Sequence, residues 1–174
     1  SGFLVWTTNP LTRGDNLGYG VRIEYPNDVW SARMSYREVQ PNHNPSLGFT
    51  PQFGYRRMNP VATFSPRPKT NKYVRRLSFE VGGVLFTDMD NQWTTRNWSF
   101  KVFQMDLHSG DAVTVSVNQD YERLEQNFTI SKGGTLPRDA EYDFTRFRIQ
   151  GTTTDRRPVS VTTTYESGTF YSGN

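Results

Sequence analysis

Side chains that could do chemistry are sparse here, and their spacing says more than their number. The two histidines, His43 in a proline-rich stretch and His108 at a predicted turn, lack the spacing of a metal or hydrolase motif and read as surface residues. Asp88, Asp90 and Asn91 resemble the start of an oxygen-rich calcium loop, but the glycine and terminal glutamate of such a loop are missing, so a hairpin tip is the better reading. The 17 acidic residues could supply a glycosidase pair in many combinations, which makes any one pair uninformative. Glu24, Glu80, Asp120 and Glu166 fall on polar strand faces and read instead as partners for Arg22, Arg33 and Arg148 across neighbouring strands. With no cysteine, disulfides, Cys-ligated zinc, iron–sulfur clusters and thiol nucleophiles are excluded. No catalytic residue, metal ligand or cofactor is assigned.

Residues suited to gripping a ligand are more numerous. The doublets Arg56-Arg57, Arg75-Arg76 and Arg156-Arg157 fall near predicted strand ends, where guanidinium forks could meet phosphate oxygens or line a polar lumen. Trp6, Trp93 and Trp98 could stack on sugar rings, or serve as core or interfacial aromatics. The candidate ligand-binding set is therefore Trp6, Trp93, Trp98, Arg56, Arg57, Arg156 and Arg157.

What must position these residues is a repeat of two. Tyr19, Val21, Ile23 and Tyr25 alternate with Gly20, Arg22 and Glu24, which is the signature of a strand with one apolar face. The same contrast recurs in Trp30, Ala32, Met34 and Tyr36 against Ser31, Arg33, Ser35 and Arg37. It returns in Val113, Val115 and Val117 against Thr114, Ser116 and Asn118, and in Val159, Val161, Thr163 and Tyr165 against Ser160, Thr162, Thr164 and Glu166. Eight strands are predicted: 19–25, 29–39, 55–65, 73–88, 92–107, 112–124, 142–153 and 159–171. Tight turn signals at 26–28, 88–91, 108–111 and 154–158 make neighbours antiparallel, while 40–54 and 125–140 are longer connections.

Length and composition fit one all-β domain, or a fragment of a larger barrel, spanning 1–174. Only 34% of residues are hydrophobic and 14% are aromatic, a balance that favours strands over a Leu/Ala-rich helical core. No window holds the ~20 apolar residues of a spanning helix, but a transmembrane barrel crosses with alternating strands of ~10 residues. Four alternate apolar positions cover ~20 Å, near the ~25 Å apolar band of such a barrel. A formal charge of +3, spread along the strands, gives no support for nucleic acid as a partner. The expected fold is an antiparallel up-and-down meander forming all or part of an outer-membrane-type β-barrel. The alternative is a soluble β-sandwich or jelly roll, in which two greasy faces meet.

An ordered series of short segments adds a family resemblance. Asn16-Leu17-Gly18-Tyr19-Gly20, Glu24-Tyr25-Pro26-Asn27-Asp28, Ser35-Tyr36-Arg37-Glu38, Asn44-Pro45-Ser46-Leu47-Gly48-Phe49, Pro66-Arg67-Pro68, Tyr121-Glu122-Arg123-Leu124, Phe144-Thr145-Arg146-Phe147 and Arg156-Arg157-Pro158-Val159-Ser160 occur in that order. Together they resemble a bacterial cell-envelope family of unknown function that follows a carbohydrate-binding, family-nine-like domain. The resemblance runs from about Asn16 to Gly173. It implies a β-rich outer-membrane barrel region in proteins labelled as carbohydrate-binding proteins or hydrolases on the strength of the neighbouring domain. Since no catalytic residue is assigned, the expectation for this chain is a non-enzymatic envelope domain, with membrane lipid or lipopolysaccharide and carbohydrate as expected partners. On that footing the chain would support carbohydrate capture or transport by its parent protein. The alternative function is a soluble carbohydrate-binding β-sandwich associated with a glycoside hydrolase.

Overall fold

A computed structural model describes residues 1–8, 14–44, 53–124, 127–131 and 134–169. It contains eleven strands and, among the described residues, no helix: β1 Gly2–Trp6, β2 Leu17–Tyr25, β3 Trp30–Val39, β4 Tyr55–Phe64, β5 Val74–Asp88, β6 Trp93–Leu107, β7 Ala112–Arg123, β8 Phe128–Ser131, β9 Gly134–Leu136, β10 Glu141–Thr152 and β11 Thr162–Gly168. Nine of them form one antiparallel meander in the order β1-β2-β3-β4-β5-β6-β7-β10-β11, and β8 and β9 make a separate hairpin within the β7–β10 connection. The sheet is open, with β1 and β11 at its edges. All eight predicted strands are present with small shifts at their ends. The last departs most: Val159 and Val161 belong to the connection before β11, and 170–171 lie outside the described residues.

β1 is an addition to the eight. Its run Phe3-Leu4-Val5-Trp6 shows no alternation, because both of its faces carry apolar side chains. The register explains how this fits: Phe3 faces Gly20 and Val5 faces Gly18 across the ladder, so glycines make room for large side chains on what is elsewhere the polar face. A Cβ at Gly20 would sit 2.7 Å from the Phe3 ring and 2.9 Å from the Tyr36 carbonyl oxygen, closer than real Cβ contacts come.

The turns are closed by a device used three times. The side-chain oxygen of Asn27 accepts from the N–H groups of Val29 (3.0 Å) and Trp30 (3.2 Å). Asn71 does the same for Tyr73 and Val74, both at 2.9 Å. Asp88 accepts from Asp90 (3.0 Å) and Gln92 (2.8 Å), confirming a hairpin tip at 88–91, with Asn91 in the left-handed region at φ 63°.

Among the described residues the backbones of the strands approach one another only between ladder neighbours, and contacts beyond a neighbour are made by long side chains reaching along the same face, such as Arg123 of β7 to Asp88 of β5, so the described sheet is a single layer. Accordingly, among the described residues no side chain is fully enclosed. The most buried apolar residues, Val39, Tyr55, Leu85, Leu124 and Phe144, lie toward the end of the sheet that carries the connections 7–16, 40–54 and 124–140. His43 is part of this cluster. It is buried rather than a surface residue, its Nδ1 3.0 Å from the Asn16 carbonyl oxygen and its ring against Gly18, a placement made by the folded connection and invisible in local sequence.

Candidate functional site

The feature that could act is the sheet itself, which has two chemically opposed faces. One row of register partners runs Tyr25, Ala32, Ala62, Val81, Phe100, Val117, Phe147 across seven strands. A parallel row holds Trp30, Phe64 and Phe79, whose rings stack at 4.2 and 6.1 Å, and another holds Val115, Ile149 and Tyr165. All of these lie on one face, and its large side chains are open: Ile23 is 69%, Trp30 61%, Phe147 56% and Ile149 51% exposed. A shallow groove of about 440 Å³ between Trp30, Phe64, Phe79, Phe100 and Val102 belongs to the same surface.

The apolar band crosses the strands obliquely. On β5 it reaches Leu85, whose register partner on β6 is Arg96; on β6 the last large apolar residue is Trp98, and its partner on β7 is Gln119. On β7 the band stops at Val117. The boundary thus steps two residues at each of these two crossings, and it is level from β4 to β5, where Met58 faces Leu85, and from β7 to β10, where Val117 faces Phe147. A level band cutting strands inclined at 35–45° would step about one residue per strand, since strands rise ~3.3 Å per residue and lie ~4.8 Å apart. Four residues over the four crossings from β4 to β10 average one per strand, the slope expected of strands tilted to the band they carry.

The opposite face is polar and cross-linked. Arg148 pairs with Glu166 (2.6 Å), Arg146 bridges Asp120 (2.9 Å) and Glu166 (3.4 Å), Arg76 pairs with Asp106 (2.7 Å), and Lys101 with Glu80 (3.6 Å). Arg22 is bound to Glu24 on its own strand, and Arg33 stands in register with Glu24. The expected cross-strand partnership of Arg148 is thus present, whereas Arg22 takes Glu24 from its own strand, and Asp120 and Glu80 are taken by Arg146 and Lys101. Sequence reading missed these two cations as partners because the choice depends on register.

At one rim the apolar face ends in a polar cluster. Tyr19 and Tyr36 lie 6.1 Å apart, Tyr36 donates to Glu38 (2.7 Å), and Arg56 donates to Glu38 (2.9 Å) and to the Met89 carbonyl (3.0 Å). This rim gathers the long connections 7–16, 40–54 and 124–140 with one tight hairpin at 89–92. The other rim carries the shorter links 26–29, 65–73, 108–111 and 153–161. There Asp111 receives Arg157 (2.8 Å) and the Thr154 N–H (2.9 Å), tying two neighbouring turns together. The Thr154 N–H, the Ser109 hydroxyl and Arg157 hold the Asp111 carboxyl below its ordinary pKa.

The seven candidate ligand residues do not converge. Arg56 and Arg57 point to opposite faces, as consecutive strand residues must. Arg56 joins the Glu38 cluster, and Arg57 lies on the polar face with its guanidinium 5.5 Å over the Phe86 ring. Arg156 and Arg157 sit at the far rim. Trp6 is 68% exposed at the edge strand, Trp93 opens β6 at the long-connection rim, and Trp98 packs over Gly83 and near Phe100, ring centres 6.4 Å apart. Trp6 and Trp98 are on the apolar face with Trp30, and no cleft joins the three tryptophans of the candidate set. Among the described residues no group of three or more His, Cys, Asp or Glu gathers to hold a metal ion. No helix there is long and apolar enough to cross a membrane, which leaves crossing by strands open. Comparison of the chain with family models, curated proteins and solved structures returns no match.

Proposed function

We propose that this sheet is the wall, or part of the wall, of an outer-membrane-type β-barrel in a bacterial envelope, with its apolar face against lipid and its charged face toward an aqueous lumen. The observation that carries the reading is the uncovered apolar face. A soluble protein rarely leaves a contiguous apolar patch above a few hundred Å² in water, and this one extends over seven strands with no other described strand packed on it. A sandwich would need a second sheet over that face, and the described strands do not supply one. Lipid satisfies the same requirement, and the ladder satisfies the backbone groups except at the two edges. The oblique band, the tyrosines and tryptophans toward its margins, and the sorting of long connections to one rim all fit the barrel pattern.

In this reading the protein is non-enzymatic, and its contribution to carbohydrate capture or transport is that of a supporting wall. The carbohydrate part rests on the family resemblance and on Trp6, Trp93 and Trp98. A glycan array probed with the wild type and with each Trp→Ala variant tests it, and absence of binding to any polysaccharide removes it. The membrane part is tested by purification: the folded chain should require detergent or lipid, and a monodisperse folded protein in plain buffer contradicts it.

A further inference from the structure

At one place on the polar face two arginines stand together without a carboxylate among the described residues. Arg37 on β3 and Arg57 on β4 are direct register partners, so two like-charged side chains leave the ladder side by side on this face, their guanidinium groups reaching toward Phe3 on β1 and Phe86 on β5. Like charges directly opposite on a sheet are destabilising. Elsewhere on this face Arg76, Arg146 and Arg148 each hold a carboxylate. Among the described residues neither Arg37 nor Arg57 has one within ion-pair distance, and Glu24, on the polar face of β2, is held by Arg22. Each of the two is braced by an aromatic ring instead: Arg37 lies 5.5 Å over Phe3 and Arg57 5.5 Å over Phe86. Stacking on a ring fixes the plane of a guanidinium while leaving its N–H edge free to donate.

A second observation points to an occupant. The Nε of Arg57 is buried without a hydrogen-bond partner. The same atom of Arg146 is also unpartnered, but that guanidinium is already held by two carboxylates. A buried unsatisfied donor is costly, and a charged one more so. Beside the two arginines the sheet opens into a cavity of about 360 Å³ whose wall includes Arg22, Ser35, Asn59 and Gly20. Gly20 contributes no side chain, and Ser35 and Asn59 add neutral donors. The volume lies within the range of small-molecule sites.

We propose that Arg37 and Arg57 form an oxyanion clamp that takes the phosphate or carboxylate group of a small solute. An oxyanion between the two forks cancels their repulsion and accepts charge-assisted hydrogen bonds from both. In a lumen, such a basic constriction selects anions. The clamp requires only that this face be wet, which holds for the barrel and the sandwich alike, so its failure and that of the membrane reading are separate results.

The test is titration calorimetry on the purified full chain with inorganic phosphate and then citrate as probes, paired with denaturant midpoints with and without each anion. Binding in the millimolar range or tighter is expected, with Arg37→Gln and Arg57→Gln each weakening it about tenfold or more. Arg57→Lys, which keeps the charge and loses the fork, should weaken it comparably, and Arg148→Gln should leave it unchanged. Without anion, Arg37→Gln should unfold at a midpoint no lower than the wild type, because a repulsion has been relieved, and the anion should raise the wild-type midpoint more than that of the variant. No heat and no midpoint shift for the wild type with either anion overturns the clamp. Equal binding by the two glutamine variants and the wild type overturns it too, as does equal weakening by Arg148→Gln, which would mean diffuse surface charge.

Discussion

At the scale of single residues, the closures of the turns carry the sharpest expectations. Asp88 accepts from two turn N–H groups through one oxygen and from Arg123 (2.8 Å) through the other, so a single carboxylate holds the tip of the β5–β6 hairpin and ties it to β7. Asp88→Ala removes all three bonds and should cost about 1–3 kcal/mol, read as a lowered urea midpoint for unfolding from lipid vesicles. Asp111 makes a prediction about pH. Its folded pKa lies below the ordinary value, so the stability it contributes is present above that ordinary value and is lost as pH falls through the folded one. As pH falls below about 4 the wild type should therefore lose midpoint stability that Asp111→Asn does not lose. A superimposable acid limb in the two proteins would remove Asp111 from the account.

At the scale of elements, the alternation of side chains did most of the work. Strands β2 to β7, β10 and β11 were legible because Val, Ile, Tyr and Phe repeat every second residue against Arg, Ser, Thr and Glu. β1 was not, because its inward Phe3 and Val5 are accommodated by Gly20 and Gly18 on another strand, and that is a fact of register. Register also decided which arginine met which acid, and it set the two members of the Arg56-Arg57 doublet to different ends: one is neutralised by Glu38, the other stands against Arg37. The burial of His43 depends on a connection folding back on Gly18, which no local pattern encodes. The opposed faces predict opposite responses to one mutation. Val81→Arg, in the middle of the apolar band, should destabilise the protein in lipid by about 2–4 kcal/mol. Thr114→Arg, on the polar face of β7 between the neutral register partners Gln104 and Gln150, should stay within about 0.5 kcal/mol. Equal effects at the two positions would mean that neither face meets hydrocarbon.

At the scale of the whole molecule, the question is what covers seven strands of exposed apolar surface. The single-layer sheet, its oblique greasy band and its sorted rims are explained together if the strands lean within a bilayer; a soluble sandwich explains the alternation but leaves the uncovered face without a partner in the described chain. The absence of cysteine makes this directly measurable, since one introduced thiol can be labelled without background. Single cysteines carrying an environment-sensitive fluorophore at Thr114, Val115, Ser116 and Val117 should alternate in lipid vesicles: quenched by spin-labelled acyl chains at Val115 and Val117, and quenched by aqueous iodide at Thr114 and Ser116. Uniform iodide quenching at all four positions, with no effect of the spin-labelled lipid, would contradict the membrane wall.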